Sequence, residues 1–541
     1  MRIDDRHPQS AHSRPSLPRA SLRVRGLLLA AALLAAPLAM AATLHRGIGN
    51  DPDSLDPHKA IGTSASILIY DLFEGLVTVD ARGEVVPGAA SEWKTDATQK
   101  TWTFTLRPGL KWSDGSPLTA ADFEYSLRRL MLPETAARYA SFLYPIRNAR
   151  AVNTGRAPVE ALGVKAVDAR TLRIELEAPA PQLTELLTSV GAVAVPRQAI
   201  EKSGREWTRP GQIVTSGAYV PVDISPQTFI KARRNPNYRD AANVAIDEVV
   251  YYPVEDEGTS YKRFQAGELD IALKVPTDKL EAARRDYPGQ LHSAPSLGMT
   301  MLMLNHREGP FADARVRRAL ALAIDRSVLA DRILRRTALP AYTIVPASLS
   351  RWAPRLPAYA AQPIAERQAQ ARQLLAAAGY GPGKPLRFTM QYFTEAKTRT
   401  LAVAMVSMWR TVGAQCELVN KDLGSVISSV RAGAYQVSLY AWFSSFDDPS
   451  TFLDLLTTKA RGSLSGYSNP QFDQAFATAN AAADPAERYA ALAAAETVAM
   501  DDVPVIPLFT NINERLVSRR VEGWTDNPRG ANLTRHLKLR N

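Results

Sequence analysis

The sequence predicts an α/β fold in several domains, and three observations carry that prediction. From about Met299 onward, strand-like runs (MTMLMLN, LRFTMQY, YQVSLYAW) alternate with helix-like runs at 313–335, 365–378, 396–412 and 485–501. Such alternation builds layered α/β units whose ligand contacts lie at strand ends. At 541 residues the chain exceeds what one hydrophobic core serves, so about two to four domains are expected. A content of 46% hydrophobic and 22% charged residues is that of an ordinary soluble globular protein.

The first 41 residues read as a leader. Arg19, Arg23 and Arg25 precede the apolar run Leu27–Ala36, and Ala39-Met40-Ala41 is a small-x-small cleavage site. The run is too short for a membrane span, and no Cys near the cleavage site offers a lipid anchor. A soluble, exported protein in a periplasm-like space is expected. The leader holds six Arg against Asp4 and Asp5, a surplus of +4, so the remainder of the +11 chain carries +7. Without a basic cluster interleaved with aromatics, that surplus reads as solvated surface and nucleic acid is not expected as a partner.

From Thr43 to about Glu74 come a first strand and the loop SLDPHKAIGTSA. A Pro/Gly-punctuated region, 75–196, follows. Within it Trp102, Phe104 and Leu106 share one parity, the pattern of a half-buried strand. Trp112–Pro117 is turn chemistry, and Thr119 with Asp122 forms a capping box ahead of Phe123, Leu127 and Leu130 at helical spacing. Thr171–Leu176 alternates as a second strand. Strands at 228–232 and 247–252 and a YKRFQAGELDIAL helix-to-strand unit lead to Ser296. In the alternating second half, Gly379 and Gly413 stand where helix-ending glycines belong. Near 504–510 the chain reads as strand again.

Enzyme signatures are missing. There is no GxSxG elbow, no GxxxxGK[ST] loop and no GxGxxG after a strand. Gly381-Pro382-Gly383-Lys384 has the wrong spacing for a phosphate loop and reads as a helix-to-strand connection. The His residues are scattered singly, and the one Cys, Cys416, excludes an internal disulfide or a CxxC site and reads as a buried thiol. Neither catalysis nor a cofactor or metal is expected.

The stretch WTFTLRPGLKWSDGSPLTAADFEYSLRR (102–129) resembles the signature of the family-5 extracellular solute-binding proteins, the oligopeptide- and dipeptide-binding components of ABC importers. SLDPHKA (54–60), DLFEGL (71–76), LGVKAVD (162–168), IVTSGAY (213–219), FADARVRRALALAIDR (311–326), LLAAAGY (374–380) and FDDPSTFLD (446–454) match in order, so the resemblance covers nearly the whole exported chain. It implies a two-lobe, type II periplasmic clamshell with an extra small domain. Lobe I would comprise 42–74, 197–296 and 511–541, lobe II 297–510, and the small domain 75–196, with crossings near 296–300 and 507–512. It further implies a peptide ligand, closure by hinge motion, and delivery to an inner-membrane ABC permease with its ATPase subunits, as a monomer.

The resemblance places Ala441-Trp442-Phe443 where family members pair through the backbone with an extended peptide. Thr63, within Gly62-Thr63-Ser64, falls in the strip pairing with the ligand's other edge, and Tyr139 matches an aromatic of a ligand pocket. Asp448 before Pro449 reads as a helix N-cap, which leaves Asp447 as a pocket candidate. Several positions depart from the pattern. Ser445 stands where relatives carry the Asp that pairs with the peptide ammonium; Val430 and Leu439 replace basic anchors, Thr398 a His, Phe393 an Asn and Leu423 a Trp. A buried ammonium without a counter-charge is costly. Either Asp447, Arg399 or Arg431 takes over, or the ligand lacks free charged ends: a blocked or modified peptide, or a non-peptide solute such as a metal chelate or glycoside. A secreted hydrolase or a sensor-docking protein are the readings from other classes.

Overall fold

The computed structural model describes residues 42–540 apart from 308, 445 and 459–463. The expected leader, 1–41, therefore lies outside the described residues, as does Ser445. The chain opens with β1 (Thr43–Gly49) and α1 (Gly62–Leu72). Part of the expected SLDPHKAIGTSA loop is thus helix. α1 carries no acidic first turn and no basic last turn and is buried along most of its length, so it lacks the amphipathic stripe that reveals a helix in sequence.

A separate four-stranded sheet follows, built from β2 (Ala90–Thr95), β3 (Thr101–Leu106), β4 (Val164–Ala166) and β5 (Thr171–Glu175) in the order β2-β3-β5-β4. α2 (Ala120–Met131) packs against it. Trp102, Phe104 and Leu106 are buried as their parity predicts, and Phe123, Leu127 and Leu130 cover them from α2. The Asp122 carboxylate accepts from the N–H and hydroxyl of Thr119 at 2.7 and 2.9 Å, which completes the predicted cap. This core draws in Leu76 through Ala194 and one residue from far along the chain, Phe446.

β6 (Tyr219–Ser225), β7 (Phe229–Arg234), β8 (Glu248–Pro253), α3 (Glu257–Gln265), β9 (Ile271–Ala272) and the long β10 (Leu291–Leu304) return the chain to the main sheet. Then come α4 (Ala314–Ala323), α5 (Ile364–Ala377), β11 (Leu386–Phe393), α6 (Ala396–Arg410), β12 (Ala414–Lys421), α7 (Leu423–Ala432), β13 (Val437–Phe443), α8 (Pro470–Ala481), α9 (Pro485–Asp502) and β14 (Val505–Val517). The order is β12-β11-β13-β10-β14-β9-β1-β8-β7-β6. β11 runs parallel to β12 and β13, and β1 parallel to β8 and β9.

β10 and β14 pair along two stretches. Leu291–Pro295 pairs with Ile512–Leu516, and Met299–Met303 with Val505–Thr510, with the register broken between Pro295 and Met299. Beyond the break β10 is covered on both faces, hence its unbroken apolar run. Met299, Met301 and Met303 face one core with Phe452, Phe472 and Leu492, while Leu302 and Leu304 face another with Phe311, Phe388 and Trp409. A further core surrounds Leu44, Phe73, Trp207, Tyr219 and Tyr251. Its N- and C-terminal segments are stitched together. Buried Arg46 donates to Thr534 Oγ1 at 3.0 Å, and Asp71 accepts from the N–H and hydroxyl of Thr534 at 3.0 and 2.6 Å.

Three expectations are corrected. The helix expected over 313–335 breaks after Ala323, because the Asp325 carboxylate accepts from the N–H groups of Ser327 and Val328 and starts a separate π-helical turn at Val328. α7 and α8 add helices not expected from the apolar pattern. Cys416, on the outermost strand β12, is half-buried, not buried; desolvation pushes its thiol up to about 12, so it stays protonated and inert. Gly379 does end α5 in the left-handed conformation, with Tyr380 N–H donating to Leu375 and Gly379 N–H to Ala376.

Candidate functional site

A cavity of about 950 Å³ is lined by the middle of β10 and by β14 from Phe509 to Arg515. One wall is the end of β13. Phe443, Trp442 and Ala441 pair with Gly298, Met299 and Thr300 of β10 on one edge. On the other edge β11 pairs with β13 only at Val437 and Ser438. Among the described residues no strand lies along that edge beside Ala441–Phe443, which line the cavity. An open strand edge in a cleft is a template for backbone pairing with an extended chain. Phe443 is 56% exposed; Trp442 is half-buried with its indole N–H donating to Thr451 Oγ1 at 3.3 Å. The 443 side chain owes its position to Gly298, since a Cβ there would fall 2.5 Å from the Phe443 ring.

Opposite stand Thr63 and Tyr139. The strip at 62–64 is the first turn of α1, so Thr63 stands at a helix N-terminus. The Gly62 N–H donates to Tyr139 Oη at 3.4 Å, and Tyr139 stacks on Phe142 at 5.4 Å. Phe142 meets Phe446 edge-on at 5.4 Å, which fastens the core of the four-stranded sheet to the loop after β13. Phe393, at the end of β11, lines the cavity, as do Thr398 and Leu439; the Thr398 hydroxyl is engaged with the Phe393 carbonyl at 2.6 Å.

Thr63, Tyr139, Phe393, Ala441, Trp442 and Phe443 are thus brought together around one cavity. Asp447 is not among its lining residues. Its carboxylate accepts from Ser350 N–H at 3.2 Å and its own N–H donates to Glu185 at 3.3 Å. Burial holds the Glu185 carboxyl above the ordinary range against the pull of Arg529, with which it is ion-paired. Asp448 does cap locally, accepting from Ser450 N–H at 2.9 Å, but its main partner is Arg488, at 2.7 and 2.8 Å through both guanidinium nitrogens. Arg399 and Arg431 are exposed and outside the cavity lining, so neither is placed as an anchor there. Val430 is buried in the core and Leu423 is 56% exposed.

Sequence reasoning missed the polar end of the cleft. Asn511, Asn513, Glu514 and Arg515 of β14 line it, with Arg529 and Asn532 from the tail and Arg46 from β1. Arg515 Nη1 donates to Gly530 O at 3.0 Å and Asn532 Oδ1 at 2.6 Å, and burial lowers its pKa to about 10. Only the pairing of distant segments assembles these groups, so no local motif announces them. Among the described residues no cluster of His, Cys, Asp or Glu could hold a metal ion, and no helix is long and apolar enough to cross a membrane.

The chain resembles known proteins along nearly its full length. The profile of bacterial extracellular solute-binding proteins, family 5, middle region, matches residues 84–463. The periplasmic murein peptide-binding protein MppA of Escherichia coli K12 is 37% identical over 500 residues, 92% of this chain and 93% of that one. The periplasmic oligopeptide-binding protein OppA of the same organism is 34% identical over 541 aligned positions, 97% and 99% of the two chains. The solved structure of Haemophilus influenzae OppA in complex with RPPGFSPFR superposes with a TM-score of 0.79 at 32% identity, covering 92% of this chain and 99% of that one. With a family profile spanning most of the fold and its cleft, the chain belongs to the family-5 bacterial extracellular solute-binding proteins.

Proposed function

We propose that this protein captures peptides in the periplasm and hands them to an inner-membrane ABC permease. The observation that carries the reading is the open edge of β13 beside Ala441–Phe443, set in a cavity of about 950 Å³. Backbone pairing along such an edge gives affinity that depends little on side-chain identity. Trp442, Phe443, Tyr139 and Phe393 supply apolar walls, and Thr63 stands in the first turn of α1, which has no N-cap side-chain bond. Separate cores support a division into lobe I (42–74, 197–296, 511–541), a small domain (75–196) and lobe II (297–510). The break between Pro295 and Met299 is where the lobes would swing. The protein works as a soluble monomer with no covalent step, and ligand favours the closed state by its greater affinity for it.

The test is calorimetric titration of the exported chain with a panel of three- to five-residue peptides, alongside Trp442→Ala and Phe443→Ala. Binding by the parent chain that weakens in both variants is expected. A parent chain that binds no peptide, or variants that bind as well as the parent, would sink the reading.

A further inference from the structure

Glu514 is out of place as a structural residue. It lies on β14 directly across from Ser293 of β10, is 8% exposed, and lines the cavity. The Ser293 hydroxyl donates to Oε2, while Oε1 is buried with no hydrogen-bond partner among the described residues. Among the described residues no ion pair engages the carboxylate: Arg284 is paired with Glu281 at 3.1 Å, and Lys397, on the same cavity, is exposed. Neighbouring Arg515 is turned to the tail, donating to Gly530 and Asn532. Half-satisfied buried carboxylates are costly, and burial does push this one above the ordinary range. A binding protein tolerates such a cost where a ligand supplies the missing partner.

We infer that Glu514 forms a cation subsite of the cleft, taking a ligand ammonium or guanidinium group on its free Oε1. This rests on the peptide-capture reading and deepens it. Met299 pairs with both Trp442 and Thr510, and Glu514 is four residues further along β14, so the subsite is about 13 Å along the strand from the level of Trp442. It therefore addresses one particular position of an extended ligand. The cation can be a lysine or arginine side chain or the ligand's terminal amine.

The experiment is calorimetric titration of the parent chain, Glu514→Gln and Glu514→Asp. The probes are tetra-alanine, its N-acetyl form, and tetra-alanines carrying lysine or its uncharged counterpart norleucine at each position in turn. A side-chain source gives at least about tenfold tighter binding of lysine over norleucine at one position; a terminal-amine source gives a similar loss on acetylation. In either case the ratio collapses to about one in Glu514→Gln and survives in part in Glu514→Asp. Residual binding of the neutral probes verifies folding. A parent chain without preference, a preference that persists in Glu514→Gln, or equal losses for charged and neutral probes, as a mere contact with Lys397 would give, overturns the inference and leaves peptide capture standing. A parent chain that binds no peptide overturns both.

Discussion

Replacing Arg488 with Met should cost the fold about 3–5 kcal/mol, because it strands a carboxylate in the core. Arg488 of α9 and Asp448 are each 2% exposed and joined through two short bonds, 2.7 and 2.8 Å. A hydrogen bond to a charged group is worth about 1.5–3 kcal/mol, and two of them bracket the same range. Without Arg488, Asp448 keeps only the Ser450 N–H and hydroxyl, at 2.9 and 2.5 Å. Met fills most of the vacated volume, so the loss is electrostatic. Asp448→Asn alone should be similarly harmful, since it leaves the guanidinium buried and unneutralised. The double variant Asp448→Asn/Arg488→Met removes both charges while the amide still caps Ser450, and should recover to within about 1–2 kcal/mol of the parent. Urea unfolding followed by tryptophan fluorescence and far-UV circular dichroism measures all four proteins. A single variant that loses under about 1 kcal/mol, or a double variant no better than the worse single, would refute the reasoning. The pair also anchors the loop behind Trp442, so the single variants should bind peptide more weakly.

Gly298→Ala puts a methyl 2.5 Å from the Phe443 ring; because Phe443 is exposed enough to swing away, calorimetry should show weaker peptide binding while the melting temperature barely moves. Gly217→Ala should instead cost stability, about 3 kcal/mol or more, since its Cβ would lie 2.5–2.7 Å from the backbone of Asp71, Leu72 and Phe73, which cannot give way. Buried Glu496, whose Oε1 accepts from Val345 N–H at 2.8 Å, has its carboxyl raised from 4.5 to about 7 by desolvation. The folded chain therefore holds a proton that the unfolded chain has released, so stability is full below pH 4.5 and falls by about 3 kcal/mol as pH rises to about 7. Glu496→Gln should abolish that fall and melt higher than the parent at pH 8; an unchanged pH slope would sink the assignment. His58, fully buried against Arg129 at 2.8 Å, is driven down to about 3 by burial and that neighbouring cation. It takes up a proton only on unfolding, so stability should erode as pH falls from 6.5 toward 3, and less so in His58→Gln.

Local chemistry was legible in the sequence and long-range assembly was not. Parity announced β3, the Thr119–Asp122 box announced α2, and the glycine after α5 announced its end, because each depends on neighbours within a turn or two. α1 escaped because a helix buried on most sides loses its stripe. α8 had a signal that went unread: Asn469, whose side chain accepts from Gln471 and Phe472 N–H, stands immediately before Pro470. In the site, the aromatic strip at 441–443 could be found through family likeness, whereas Glu514 could not. Its character comes from what is missing around it after residues more than two hundred positions apart have met.

The stitching of Arg46 and Asp71 to Thr534 has a consequence for the order in which this molecule can form. β1 sits in the sheet beside β9, which pairs in turn with Leu516 and Val517 of β14. This core closes only when segments more than four hundred positions apart meet, a high-contact-order arrangement that slows folding. Without Thr534, Arg46 and Asp71 would each lose a buried partner, 488 and 463 positions away. The same few bonds hold β1 and α1 to the segment around Thr534, so they close a loop that spans most of the described residues.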